Sequence, residues 1–166
     1  MKPTWNDALR EALVSGTTAS LLSTAALAAF GHRETGRPLA PINAVSHWVY
    51  EPEALHADEA SMRHTALGLV THHAASVLWA AVYAAGRQAV RPGSPPSLTG
   101  AALTAALAAF VDFKLTPKRF TPGFEHRLST PALVGVYGAL AVGLLIGATA
   151  VTEPDPSTPP AADTWR

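Results

Sequence analysis

The sequence predicts an all-α, polytopic membrane protein, in which four helices form an antiparallel bundle with a long polar loop between the first two. Four windows of at least 20 residues contain no Asp, Glu, Lys or Arg, namely 12–32, 64–86, 92–111 and 128–152. A helix needs about 20 mostly apolar residues to cross the hydrocarbon layer, whereas a soluble helix of this length carries a charged face. Charged residues make up only 14% of the chain, against about 25% in soluble domains.

A soluble, alanine-rich helical bundle is the alternative, because the mean hydropathy of the whole chain is only +0.17. The polar loop and the C-terminal tail account for much of this low value. The first window is not predicted to be a cleaved secretory signal, since Asp7 and Glu11 precede it and its apolar run exceeds the roughly 7–15 residues of a signal core. We therefore predict four retained spans.

The first helix is predicted over about residues 9–30 and is followed by a polar segment, 33–63. Three prolines in that segment interrupt any continuous helix. Between two of them, the stretch "INAVSHWVY" is predicted to form a short interfacial helix, because Trp48 and Tyr50 suit the level of the lipid headgroups. Re-entry of this stretch into the bundle is the alternative.

The three remaining helices are predicted at about 64–85, 98–116 and 130–151. Gly93 and three prolines form a turn over 86–97, between the second helix and the third. The four-span domain thus covers 1–151, and the Pro-, Asp- and Thr-rich tail, 152–166, is predicted to be disordered. Antiparallel spans place both termini and the 86–97 turn on one side of the membrane.

Basic residues follow the third helix and favour an anchoring role at the membrane surface. Lys114, Lys118 and Arg119 lie in "KLTPKRF" beside an aromatic residue, where long basic side chains reach the interface. Binding of anionic lipid headgroups is the functional alternative for these lipid-facing anchors. Lys and Arg number five on the side of the termini and seven on the other, which does not fix the orientation.

Two ionisable residues in the second and third helices form the candidate site. Small residues recur at four-residue intervals in every span, and His72 and Asp112 lie on these stripes. Antiparallel pairing of the two helices puts Asp112 level with Thr71 and His72, so a buried pair is predicted, hydrogen-bonded directly or through one water. His73 is turned about 100° away. Further side chains on the face of His72 are Ser76, Trp79 and Tyr83.

Three hypotheses account for such a polar site at membrane depth. In the first, His72 and Asp112 only fasten two helices, and the protein is a structural or interaction unit. In the second, they move or sense protons or an ion, because histidine titrates near neutral pH. In the third, they bind a metal together with His47 or His64. Haem is disfavoured, since the other three helices contain no second axial histidine.

Composition excludes several classes of function. The chain has no cysteine, so it has no disulfide framework and no thiolate nucleophile. Its net charge is zero, which argues against a nucleic-acid partner. The sequence contains no phosphate loop and no hydrolase or kinase motif, so neither a cofactor nor an enzymatic activity is predicted. The expected partners are the lipid bilayer and a second copy or another membrane protein.

Three stretches, "INAVSHW", "THHAASVLWAAVY" and "FVDFKLTPKRFTPGFEHRLS", carry a resemblance to known proteins. They resemble a group of small bacterial inner-membrane proteins with four predicted spans. The resemblance covers most of the chain apart from the tail, and THHxxS and VDFKLTPxR are its most specific parts. It implies a location in the bacterial inner (cytoplasmic) membrane but implies no activity.

Overall fold

A computed structural model describes residues 5–90 and 93–152, and this part of the chain is helical, without a strand. It contains four helices that are long and apolar enough to cross a membrane: Trp5–Thr35, Met62–Val90, Leu98–Leu115 and Thr130–Thr152. The prediction of four such helices in an all-α protein is therefore confirmed. Apart from Thr152, the tail that was predicted to be disordered lies outside the described residues.

The α-helices are α1 (Trp5–Thr35), α2 (Ala40–Ala44), α3 (His47–Tyr50), α4 (Leu67–Val90), α5 (Leu98–Phe110) and α6 (Thr130–Thr152). One π-helical turn, Met62–Ala66, leads into α4, and another, Val111–Leu115, continues α5. Helix α1 extends past its predicted bounds at both ends. The prediction followed the apolar window, but a helix can continue beyond such a window with charged side chains in water.

Helix α1 is the centre of the packing. It packs most extensively against α6 and next against α4, whereas α5 packs mainly against α6 and touches α4 little. Gly143 of α6 lies against Ala19 of α1, and Gly147 lies against Ser15, so α6 runs antiparallel to α1. Small residues at these positions let the two backbones approach closely. The predicted stripe of α6 thus faces α1, whereas Gly16 of the predicted α1 stripe faces α4.

Glycine also brings α1 close to α4. A side chain at Gly16 would place its Cβ 2.5 Å from the Cα of Val77, a distance that real contacts do not allow. Near one end of these two helices, Arg87 forms an ion pair with Glu11, with Nη2 2.5 and 2.6 Å from the two carboxylate oxygens. Their side chains are only 7% and 9% exposed. The pair fastens the two helices at the end that carries the 86–97 turn.

The segment between α1 and α4 folds into the opposite end of the helices. Every residue from 40 to 47 is buried, whereas Trp48 and Val49 are exposed. The stretch predicted to form a short interfacial helix thus packs largely against the rest of the protein, and its level in a membrane stays a prediction. Asn43 explains how the segment folds inward. Its amide nitrogen donates to the carbonyls of Ala57 and Glu59, each at 3.0 Å, and its amide oxygen accepts from the Thr65 hydroxyl at 2.7 Å. These bonds satisfy the buried side-chain amide of Asn43, which would otherwise lack partners.

Candidate functional site

A cavity of about 270 Å³ lies between α4 and the end of α5, and we call it the chamber. Helices α1 and α6 also contribute to its wall, and two loop segments, around Trp48 and around Phe120, complete it. The polar side chains on the wall include Ser23, His72, Asp112 and Tyr137. Most of the remaining wall is apolar. The chamber is therefore a largely apolar space with a few polar groups.

The packing order of the helices explains why this space exists. Helix α4 packs on α1, and α5 packs on α6, so α4 and α5 have little direct contact. They are joined near their shared turn, where the Tyr83 hydroxyl accepts from the amide of Ser97 at 2.9 Å and donates to its carbonyl at 3.1 Å. Farther from the turn, residues of both helices line the chamber. The two helices thus frame the space from opposite sides.

His72 is held by α1. Its Nε2 lies 2.8 Å from the hydroxyl oxygen of Ser23, which in turn donates to the carbonyl of Ala19 at 2.7 Å. A hydroxyl has a single hydrogen, so with that hydrogen directed at Ala19, Nε2 donates to Ser23. This bond joins α4 to α1 at the chamber wall.

Asp112 is held by α6. The Tyr137 hydroxyl donates to its Oδ2 at 2.6 Å. No Lys, Arg or His side chain forms an ion pair with Asp112 in the described part of the chain. The carboxylate of Asp112 thus has a hydrogen-bond donor but no basic counter-charge.

The direct hydrogen bond predicted between His72 and Asp112 is not formed in the described residues, and a contact through one water stays a prediction. Both residues line the chamber, but His72 bonds to Ser23 and Asp112 bonds to Tyr137. The prediction assumed that the second and third helices pack along their full length, whereas α4 and α5 have little direct contact. Sequence reasoning missed Ser23 and Tyr137 as partners. The available signal was that both are polar side chains inside charge-free windows.

The other predicted site residues fall into two groups. Ser76 and Trp79 line the chamber. His73 is exposed on α4, Tyr83 lies at the 86–97 turn, and His47 and His64 lie in or beside the buried segment between α1 and α4. These four are not part of the chamber wall.

The two histidines near the buried segment have local partners. His47 is 1% exposed, and its Nδ1 donates to the carbonyl of Ala44 at 2.9 Å. His64 places Nδ1 3.2 Å from the hydroxyl oxygen of Ser46 and packs against the ring of Tyr50. Among residues 5–90 and 93–152, no group of three or more His, Asp or Glu side chains is arranged to hold a metal ion. The predicted set of His72, Asp112 and His47 or His64 is thus not brought together.

The predicted basic anchors lie beyond α5. Lys114, Lys118 and Arg119 are exposed. Arg119 has partners within the protein, because its guanidinium lies 3.4 Å from the Glu51 carboxylate and 3.4 Å from the carbonyl of Trp48. Trp48 itself donates from Nε1 to the carbonyl of Thr121 at 2.8 Å. Arg119 and Trp48 thus join the two loop segments that cover the chamber.

The chain matches no protein-family model, no curated protein and no solved structure. Its four apolar helices and the chamber are therefore the features from which a function can be argued.

Proposed function

We propose that this chain is a multi-pass membrane protein that binds a small, largely apolar organic molecule in the chamber. The chamber itself carries the proposal. Ligand sites are concave, mostly apolar spaces in which a small number of polar groups fix the orientation of the ligand. Here the two hydrogen-bonded pairs, His72 with Ser23 and Asp112 with Tyr137, supply those polar groups.

A role in packing alone accounts less well for this arrangement. An unfilled space costs stability, because the side chains around it lose packing contacts. Helices that only had to be fastened together would close over His72 and Asp112 rather than leave a cavity of about 270 Å³ between them. A ligand that fills the chamber offsets that cost.

Translocation of a proton or an ion through the chamber, by means of His72 and Asp112, is a second candidate but has less support. A buried apolar cluster that includes Ala80, Ala101 and Leu144 lies toward the 86–97 turn, and these three side chains are fully buried. A path for a proton or an ion needs polar groups or water along its length. The apolar cluster favours a binding site over a path across the whole set of helices.

The bacterial inner membrane is the proposed location. The resemblance of "INAVSHW", "THHAASVLWAAVY" and "FVDFKLTPKRFTPGFEHRLS" to a group of small inner-membrane proteins supports it. The four apolar helices are compatible with it. Recovery of the protein in the soluble fraction after cell lysis and carbonate washing would overturn this part of the proposal.

Filling the chamber tests the binding function. Ala75 lines the chamber, whereas the neighbouring Ala74 is exposed on the outer surface of α4. The protein is placed in lipid nanodiscs, and binding of two probes, benzyltrimethylammonium and its neutral carbon analogue neopentylbenzene, is measured by equilibrium dialysis against empty nanodiscs. We expect at least one probe to bind to the wild-type protein and to Ala74→Phe, but not to Ala75→Phe. Equal binding by the two variants would refute the proposal, as would no binding to the wild-type protein.

A further inference from the structure

The charge on the chamber wall limits the chemistry of the ligand. Among the described residues, Asp112 is the only Asp or Glu on the wall, and no Lys or Arg lies there. A carboxylate away from water is costly unless a positive charge offsets it. An anionic ligand would place a second negative charge beside Asp112. A cationic ligand would supply the missing counter-charge.

Aromatic rings on the wall favour the same kind of ligand. Trp48 and Phe120 meet edge to face with ring centroids 5.8 Å apart, and Phe124 packs against Tyr137 at 6.3 Å. Trp79 contributes a further ring to the wall. The face of an aromatic ring attracts a cation, and aromatic enclosures are well suited to ammonium groups whose hydrogens are replaced by carbon. Such groups also tolerate an apolar surrounding better than a small hydrated ion does.

His72 does not replace this missing positive charge. Its Nε2 is already bonded to Ser23 of α1, while the carboxylate of Asp112 is bonded to Tyr137 of α6. No hydrogen bond or ion pair joins the two residues within the part of the chain that the structure describes. The chamber therefore presents its carboxylate to whatever occupies it.

From these observations we infer that the chamber selects a lipophilic organic cation, of the quaternary or tertiary ammonium class, with Asp112 as the charge partner. The aromatic rings contact the substituted nitrogen, and the apolar wall accepts the hydrocarbon part of the molecule. The inference rests on the proposed binding function and adds the chemical class of the ligand.

The test compares two probes of nearly the same shape. Benzyltrimethylammonium carries a positive charge, and neopentylbenzene has carbon in place of the nitrogen. Their dissociation constants are measured with the protein in nanodiscs of phosphatidylethanolamine and phosphatidylglycerol, with empty nanodiscs subtracted. The wild-type protein should prefer the cation. Asp112→Asn should weaken binding of the cation by about tenfold or more and leave binding of the neutral probe unchanged, whereas Asp112→Glu should retain the preference.

Asp112→Asn is expected to fold like the wild-type protein, because its side-chain oxygen can still accept from the Tyr137 hydroxyl. Its elution in size-exclusion chromatography should match that of the wild-type protein. If the wild-type protein binds both probes equally, or if Asp112→Asn keeps the preference for the cation, the inference is overturned while the binding function stands. If neither probe binds, the proposed function itself fails.

One further measurement identifies the source of the ammonium group. Phosphatidylcholine replaces phosphatidylethanolamine in the nanodiscs, so that the lipid carries a trimethylammonium headgroup at the same net charge. If the headgroup is the ligand, this exchange weakens binding of benzyltrimethylammonium to the wild-type protein but not to Asp112→Asn. If the ligand is a free cation, the exchange leaves binding to both proteins unchanged.

Discussion

At the scale of single residues, several polar side chains of the apolar helices bond to a neighbouring helix. His72 bonds to Ser23 across α4 and α1, and Tyr137 bonds to Asp112 across α6 and α5. The Ser15 hydroxyl donates to the carbonyl of Leu144 at 2.8 Å, across α1 and α6. Hydrogen bonds between helices in a membrane contribute a modest amount each, about 0.6 kcal/mol on average. In this protein, these bonds help to determine which helices pack against each other.

The bond between Ser23 and His72 gives a measurable coupling. Ser23→Ala and His72→Ala should each destabilise the protein, and the double variant should lose about 0.6 kcal/mol less than the two single losses added together. Thermal or denaturant unfolding in detergent measures these free energies. Ser15→Ala is the control, because the bond of Ser15 is made to α6, so its effect should add to that of His72→Ala. Additivity of the Ser23 and His72 effects would contradict the observed bond.

The ion pair between Glu11 and Arg87 should contribute to stability through its burial. Arg87→Met leaves an unpartnered carboxylate among apolar side chains, so we expect a loss of about 3–5 kcal/mol. The double variant Glu11→Leu with Arg87→Met removes both charges and should recover a large part of that loss. The unfolding midpoint of the protein in detergent provides the measurement. A double variant as unstable as the single variant would show that the charge left behind is not the cause.

At the scale of elements, the sequence was sufficient for the four long helices, because each charge-free window is as long as a bilayer crossing requires. The inward fold of 40–47 was not predictable in the same way. It depends on Asn43 meeting carbonyls of residues 57 and 59, which are distant in the sequence. The separation of α4 from α5 was also missed. The spacing of small residues shows which face of a helix packs, but not which helix packs against it.

Two glycines of α6 provide a matched test of its packing on α1. A Cβ at Gly143 would collide with the backbone of Ala19, whereas a Cβ at Gly138 would have nothing within 4 Å. Gly143→Ala should therefore destabilise the protein by about 1–3 kcal/mol, since the helices must move apart. Gly138→Ala should be neutral or stabilising, because alanine favours the helix by up to about 1 kcal/mol. Equal effects of the two substitutions on the unfolding free energy would argue against the close approach of α1 and α6.

At the scale of the whole molecule, the alternation of the four helices assigns each connection to one side of the membrane. Reporter fusions at Val90 and at the C-terminus should report the same side, and a fusion near Leu55 should report the other. The reason is that α4 and α6 both run antiparallel to α1. Opposite signals from the first two fusions would mean that Thr130–Thr152 does not span. The chamber would then not lie among four membrane-spanning helices.

Uptake of an organic cation between α4 and α5 can be tested by protecting a thiol placed in the chamber. The chain has no cysteine, so a single thiol can be placed at Ala75 in the chamber or at Ala74 on the outer surface of α4. The rate of alkylation by N-ethylmaleimide is then measured in nanodiscs, with and without saturating benzyltrimethylammonium. We expect the cation to slow alkylation of Ala75→Cys and to leave alkylation of Ala74→Cys unchanged. Alkylation of Ala75→Cys at the same rate with and without the cation would contradict uptake of the cation.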